Sequence, residues 1–310
     1  MSLADELLPI PDRSLVEEAM PGLELTDLHR EKLDIGERFI QGPSGAPDVR
    51  VVISQPKTHA PASDDRLPIL LHLHGGAFCL MHPETFAGME ANWALQHQCV
   101  VVSVDYRLAP EDPFPAGPED CYAALLWVAS HGDELGIDLD RLVVTGGSAG
   151  GALTAALALM SRDRGGPTIA YQAMMIPVTD DRLETPSVAQ ADASTPGFTG
   201  PASRGMWLHY LGEDYDRTKT SPYAAPARAE SFADLPPAFI QTNGLDPLRD
   251  EGIEYGLKLL AAGIPCEIYN CPGAYHGAPP LDDRTAAIAF QVYNAALGAA
   301  LNPAAPTGGF

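Results

Sequence analysis

Gly146-Gly147-Ser148-Ala149-Gly150-Gly151 stands between two segments of different character. Before it runs the short apolar stretch Arg141-Leu142-Val143-Val144-Thr145. After it runs Ala152-Leu153-Thr154-Ala155-Ala156-Leu157-Ala158-Leu159-Met160, a helix former. Gly-x-Ser-x-Gly between a strand and a helix predicts a nucleophile elbow. The serine sits at the tip of a strained turn, and the glycines let strand and helix approach. The backbone N–H that follows falls at a helix N-terminus, where the dipole favours a developing negative charge. Two other readings compete. A Gly-rich turn with Ser148 as a helix cap needs no chemistry. A phosphate-cradling loop fails on spacing: no Lys follows Gly151, and Ser148 occupies the second Gly of a dinucleotide fingerprint.

Outward from this stretch, strand-like and helix-like segments alternate. Gly36 to Gln41, Val49 to Gln55, Ile69 to His74 and Val100 to Asp105 read as strands on the N-terminal side. Ile169 to Ile176, Ala238 to Thr242 and Pro265 to Tyr269 follow on the other. Helices are expected at Gly117 to Ser130, at Glu251 to Ala262 and from Thr285 to Leu301, with Glu119 and Asp120 in the first turn of the earliest, where the dipole favours them. Continuous apolar strands alternating with helices predict an α/β fold: a mostly parallel sheet covered on both faces. Two segments break the alternation. Residues 1–35 carry helical patches at Met1–Leu8 and Ser14–Ala19, broken by prolines. Residues 178–237 are rich in Pro, Gly and Asp, with one helical patch at Ser203–Leu211. A long insertion at the C-terminal edge of an α/β sheet usually serves as a lid or binding loop. The expected division is an N-terminal cap segment at 1–35, a core at 36–177 and 238–310, and a cap insertion at 178–237.

Composition narrows the partners. With 19 basic and 41 acidic residues among 310, the net charge is −22, which disfavours nucleic acid and anionic membrane surfaces. No apolar run approaches the ~20 residues of a membrane span. The acidic start Met1-Ser2-Leu3-Ala4-Asp5-Glu6 lacks a basic n-region, so the cytoplasm is the expected compartment. Five cysteines without Cys-x-x-Cys give neither a disulfide framework nor a zinc spacing, and no metal or cofactor is expected.

An elbow serine needs a base, an orienting carboxylate and oxyanion donors. Where such an elbow opens a helix on a parallel sheet, the acid and then the base follow the serine. Of nine histidines only His276 lies beyond residue 209, in the loop Gly273-Ala274-Tyr275-His276-Gly277. The acid should end the preceding strand, where Gly244-Leu245-Asp246-Pro247-Leu248-Arg249-Asp250 offers Asp246. Asp250 is its rival, and reads better as a carboxylate at a helix N-terminus. His74-Gly75-Gly76-Ala77-Phe78 is the small-residue loop whose N–H groups could turn toward a ligand. His74 itself reads as a structural residue pinning that loop.

With these motifs assembled, the chain resembles the bacterial hormone-sensitive-lipase-like esterases, the family IV carboxylesterases of the α/β-hydrolase superfamily. The resemblance runs from about Ile69 to Gly277. It rests on His74-Gly75-Gly76-Ala77-Phe78, Asp105-Tyr106-Arg107-Leu108-Ala109-Pro110-Glu111, Gly146 to Gly151, Asp246-Pro247-Leu248-Arg249-Asp250-Glu251 and His276-Gly277. It implies that Ser148 is the nucleophile, His276 the base and Asp246 the orienting acid. It implies oxyanion donors at the N–H groups of Gly76, Ala77 and Ala149, beside Gly75. It also implies a cap, a structural turn at Tyr106–Glu111, and a small-molecule ester as substrate. Short to medium acyl chains are expected, and a homodimer is compatible with the sequence. Lactones, amides or carbamates are alternative substrates of the same triad. A binding-only receptor on this fold is the alternative of another class, disfavoured by the retained His276. The sequence departs from the family at Ala77, where a third Gly is usual, and at Gly147, where Asp or Thr is usual. It also departs at Ala278, where an aromatic usually follows His-Gly. Cys79 and Met81 stand where small residues are usual and either narrow the pocket or simply pack the loop.

Overall fold

The computed structural model describes residues 10, 13, 22–59, 65–212, 214–277 and 282–303. These form one eight-stranded sheet: β1 (Leu33–Ile40), β2 (Val49–Pro56), β3 (Leu67–Leu73), β4 (Val100–Asp105), β5 (Ile137–Gly147), β6 (Tyr171–Met175), β7 (Ala238–Asn243) and β8 (Cys266–Cys271). The spatial order is β1-β2-β4-β3-β5-β6-β7-β8. β2 pairs antiparallel with both β1 and β4, and every pair from β4 through to β8 is parallel.

Helices are α1 (Asp27–Lys32), α2 (Ala87–His97), α3 (Ala116–Ser130), α4 (Gly132–Leu135), α5 (Ala149–Arg164), α6 (Pro186–Gln190), α7 (Gly200–Leu211), α8 (Arg249–Ala261) and α9 (Asp283–Leu301). The period-2 alternation of the strands sorts them into layers. Ile69, Leu71 and Leu73 face Cys121, Leu125 and Val128 of α3 and Leu153, Leu157 and Met160 of α5. Leu70, Val101 and Val143 face Trp93 of α2 and Tyr293 and Leu297 of α9. A third cluster joins Leu159 of α5 to Tyr255 and Leu259 of α8 over Met174 and Ile240. Both faces are buried, which is why the central strands read as unbroken apolar runs.

Parallel pairing brings the C-terminal ends of β3, β5, β6, β7 and β8 to one edge, where such sheets bind ligands. Residues 178–237 leave the sheet after β6 and return at β7, carrying α6 and α7. An ion network anchors their path. Asp181 pairs with Arg228 at 2.7 Å and accepts the Thr220 hydroxyl at 2.7 Å, while Asp180 pairs with Arg182. Tyr210 of α7 stacks on Phe78 with ring centroids 3.7 Å apart. The insertion therefore packs onto the loop after β3. The expected helical patches at Met1–Leu8 and Ser14–Ala19 lie outside the described residues. From that region Arg13 donates to Cys79 O at 2.8 Å and Ala109 O at 3.1 Å, and pairs with Glu111 at 2.7 Å.

One expectation is corrected. Asp120 does not sit in its helix for the sake of the dipole. It is buried and grips Arg107, accepting from its Nε at 2.9 Å, its Nη2 at 2.8 Å and its backbone N–H at 3.0 Å. A buried carboxylate needs such a partner, and the start of the Tyr106–Glu111 turn is thereby locked to α3.

Candidate active site

The turn between β5 and α5 is as tight as its glycines require. A Cβ at Gly146 would lie 2.4 Å from Gly150 O, and one at Gly150 would lie 1.9 Å from Leu73 O. Ser148 itself adopts φ 55°, ψ −118°, a strained conformation for a residue with a side chain. Its N–H donates to Met175 O at 2.8 Å, and its carbonyl accepts from Ala152 N–H at 3.1 Å and Val178 N–H at 3.2 Å. Gly147 differs from its neighbours, because nothing lies nearer than 3.9 Å to its missing Cβ.

Ser148 Oγ lies 2.8 Å from His276 Nε2, and His276 Nδ1 lies 2.7 Å from Asp246 Oδ2. Three residues 98 and 30 positions apart in sequence thus meet in one hydrogen-bonded line. The carboxylate fixes the proton on Nδ1 and leaves Nε2 free to accept from the serine. Asp246 is held in turn: its Oδ1 accepts from Leu248 N–H at 2.8 Å, and its side chain is fully buried. Asp250 faces elsewhere. Its Oδ2 accepts from Ser187 N–H at 2.8 Å, and its Oδ1 pairs with Arg249 at 2.7 Å. It ties α8 to the insertion.

The loop after β3 passes beside the elbow. A Cβ on Gly75 would come within 3.0 Å of Gly147 O and 3.7 Å of Ser148 Cβ. Gly76, Ala77 and Phe78 then run at φ 116°, 54° and 61°. A left-handed run turns successive N–H groups to one side, the concavity in which anions are held. Cys79 N–H and Leu80 N–H both donate to Gly76 O, and Ala109 N–H donates to Phe78 O, so the loop is closed without using the N–H groups of Gly76 and Ala77. Ala149 opens α5, where a first-turn N–H has no intrahelical acceptor. Under the loop, His74 stacks on Tyr106 at 4.2 Å, its Nδ1 bonds Gly75 O at 2.7 Å, and Tyr106 donates to His74 O at 2.8 Å. Burial pushes the His74 pKa down to about 3, so the ring is neutral. Burial likewise pushes the Cys79 thiol up to about 12, which makes it a packing group rather than a nucleophile.

Several contributors left no mark in the sequence. Asn243 ends β7. Its Nδ2 donates to Tyr275 O at 2.8 Å, and its own carbonyl accepts from Asp246 N–H at 3.1 Å, so one residue joins the turn bearing Asp246 to the loop bearing His276. Buried Glu251 accepts from Thr179 N–H at 2.6 Å and Asp180 N–H at 3.2 Å. Its burial holds that carboxyl well above the usual range. Phe198, from the insertion, lies against His276. Among the described residues no group of three His, Cys, Asp or Glu side chains could hold a metal ion, and no helix is long and apolar enough to cross a membrane.

This geometry can be set beside known proteins. A family profile described as α/β-hydrolase fold matches residues 70–279. Esterase LipI of Mycobacterium tuberculosis is 40% identical over 277 residues, covering 86% of this chain and 84% of that protein. Carboxylesterase NlhH of the same species is 40% identical over 248 residues, covering 79% and 76%. Among solved structures, one titled bacterial heroin esterase superposes with a TM-score of 0.88 at 37% identity, covering 97% of this chain and 93% of that one. The chain belongs to the α/β-hydrolase fold family, in the branch of the hormone-sensitive-lipase-like carboxylesterases.

Proposed function

We propose that the chain is a serine carboxylesterase in which Ser148, His276 and Asp246 form the triad. The observation that carries the reading is the unbroken line from Ser148 Oγ to His276 Nε2 at 2.8 Å and from Nδ1 to Asp246 at 2.7 Å. Ser148 Oγ attacks the ester carbonyl carbon as its proton passes to Nε2. The carbonyl π electrons move onto oxygen, and that oxyanion is met by the N–H groups of Gly76, Ala77 and Ala149, beside Gly75. Loss of one such donor typically costs ~3 kcal/mol of transition-state stabilisation. The intermediate collapses, the C–O bond to the alcohol breaks, and the imidazolium returns its proton to the leaving oxygen. Water, deprotonated by His276, then attacks the acyl carbon, the bond to Ser148 Oγ breaks, and His276 returns the proton to that oxygen as the acid leaves. No step calls for a metal or organic cofactor.

Aromatic packing of Phe78, Trp207 and Tyr210 joins the loop after β3 to the insertion beside the elbow, and we read the substrates as esters of short to medium acyl chains. The strongly acidic surface supports a small ester rather than a nucleic acid as ligand, and we read the cytoplasm as the compartment. A panel of p-nitrophenyl esters of increasing acyl length, with a lactone and an anilide beside it, tests the reading. The highest kcat/KM should fall on short to medium esters, and Ser148→Ala should abolish turnover with the fold intact. Retained activity in Ser148→Ala would overturn the mechanism, and a preference for the longest acyl chains would overturn the substrate class.

A further inference from the structure

The insertion reaches the imidazole directly. The rings of Phe198 and His276 lie with centroids 4.9 Å apart and planes inclined by 38°, closer to stacked than to edge-on. Just before Phe198, Gly197 adopts φ +78°, and a Cβ there would fall 2.8 Å from the carbonyl oxygen of His276. The backbone of the insertion is thus seated on the histidine's own residue, at a distance only glycine permits. Just after Phe198, the Thr199 hydroxyl caps α7 by accepting from Ala202 N–H at 3.1 Å. Gly200 N–H donates to Ala191 O at 3.0 Å. The backbone on both sides of Phe198 is held by a tight contact and a helix cap, which places its ring against the imidazole.

The face of a phenyl ring attracts a cation within ~6 Å of its centre. His276 becomes a cation only while it holds the Ser148 proton, at the transition state and in the tetrahedral intermediates. An attraction that is strong then and weak in the neutral enzyme lowers the barrier. Among the described residues the ionisable groups bonded to the imidazole are Asp246, at Nδ1, and Ser148, at Nε2. Asp246 acts along the hydrogen bond in the ring plane, whereas Phe198 acts through ring-to-ring contact.

We propose that Phe198 is a positioning residue of the reaction, stabilising the His276 imidazolium by a cation–π contact and so linking the insertion to the chemical step. The inference rests on the reading of His276 as the base. Its test is the pH dependence of kcat/KM on p-nitrophenyl acetate for the full chain and for Phe198→Leu and Phe198→Trp. Leucine keeps the bulk and removes the ring. It should lower the plateau about threefold to tenfold with little change in KM. It should also move the acid limb to lower pH by about half a unit, because the protonated ring loses a favourable neighbour. Tryptophan, with the stronger quadrupole, should move the limb the other way. A folded, active Phe198→Leu enzyme whose acid limb superimposes on the parent would overturn the proposal, whatever its rate. So would a Phe198→Trp enzyme whose limb moves in the same direction as leucine's. Neither result touches the triad, which stands or falls on Ser148→Ala.

Discussion

Changing Asp246 to Asn should disable the base while leaving the fold in place. Asp246 Oδ1 accepts from Leu248 N–H at 2.8 Å, and Oδ2 accepts from His276 Nδ1 at 2.7 Å. The backbone bond decides how an asparagine would sit. Its carbonyl oxygen keeps Leu248 N–H, and its NH2 then faces Nδ1. A donor opposite Nδ1 selects the tautomer with the proton on Nε2. That nitrogen, 2.8 Å from Ser148 Oγ, would donate where it has to accept. A triad held in the wrong tautomer loses about 10⁴-fold in kcat, or about 5.4 kcal/mol at 1.36 per factor of ten. Asp250→Asn is the control. Its partners are Ser187 N–H and Arg249, so it should cost about 1 kcal/mol of stability and less than about tenfold in kcat. Steady-state hydrolysis of p-nitrophenyl acetate, with circular dichroism on the same samples, reads both variants. A folded Asp246→Asn enzyme within tenfold of the parent would refute the tautomer argument. Equal losses for the two substitutions would refute the assignment of the acid.

The elbow should prove one-sided. Gly147→Ala has room and should keep its Tm within about 3 °C of the parent, whereas Gly150→Ala would drive a Cβ to 1.9 Å from Leu73 O and should yield no stable protein. A stable, active Gly150→Ala enzyme would contradict the packing. Acid stability should register His74. Its folded pKa of about 3 lies below the ~6.5 of an unfolded histidine, so between those values the unfolded chain binds a proton that the folded chain refuses. Stability should therefore fall as pH drops below ~6.5, and urea midpoints from pH 7 to 4 should show a shallower slope in His74→Phe. An unchanged slope would mean that His74 is not held neutral.

The sequence made the centre of the sheet legible and left its polar supports hidden. β4 is six residues, four valines and one small hydroxyl before Asp105, and it stands where the apolar run stands. β5 starts at Ile137, well before the run at Leu142, because Asp138 and Asp140 interrupt the apolar pattern at its open end. α2 gave no clear period. It buries Glu90 and His97 alongside Ala91, Trp93 and Ala94, and Glu90 is buried because it accepts from Ser103 at 2.6 Å and meets His72 at 2.5 Å. A charge whose partners lie on two strands cannot be told from a solvated one along the chain. That Ser148, Asp246 and His276 come together was legible through motif and order, since an elbow and two strand-end loops each restrict the residue types they tolerate. Asn243 was not, because its amide serves a carbonyl 32 residues away and any polar residue would read alike. Phe198 was hidden in the same way, as one aromatic in a Pro- and Gly-rich stretch.

The hold on the Ser148 backbone has a consequence for how this enzyme can diverge. Its carbonyl accepts from the N–H of Val178, the residue at which the insertion leaves the core, and its N–H is spent on Met175 at the end of β6. The first amide of the insertion is therefore a structural member of the elbow, with no side chain in between. A new substrate range can be reached by rewriting the far side of the insertion, around α7, at no cost to the serine's geometry. A length change or a proline at the root would be transmitted to the elbow as a rotation of its peptide plane. Sequence freedom in residues 178–237 should accordingly grow with distance from Val178, and the root should drift no faster than the glycines of the turn itself.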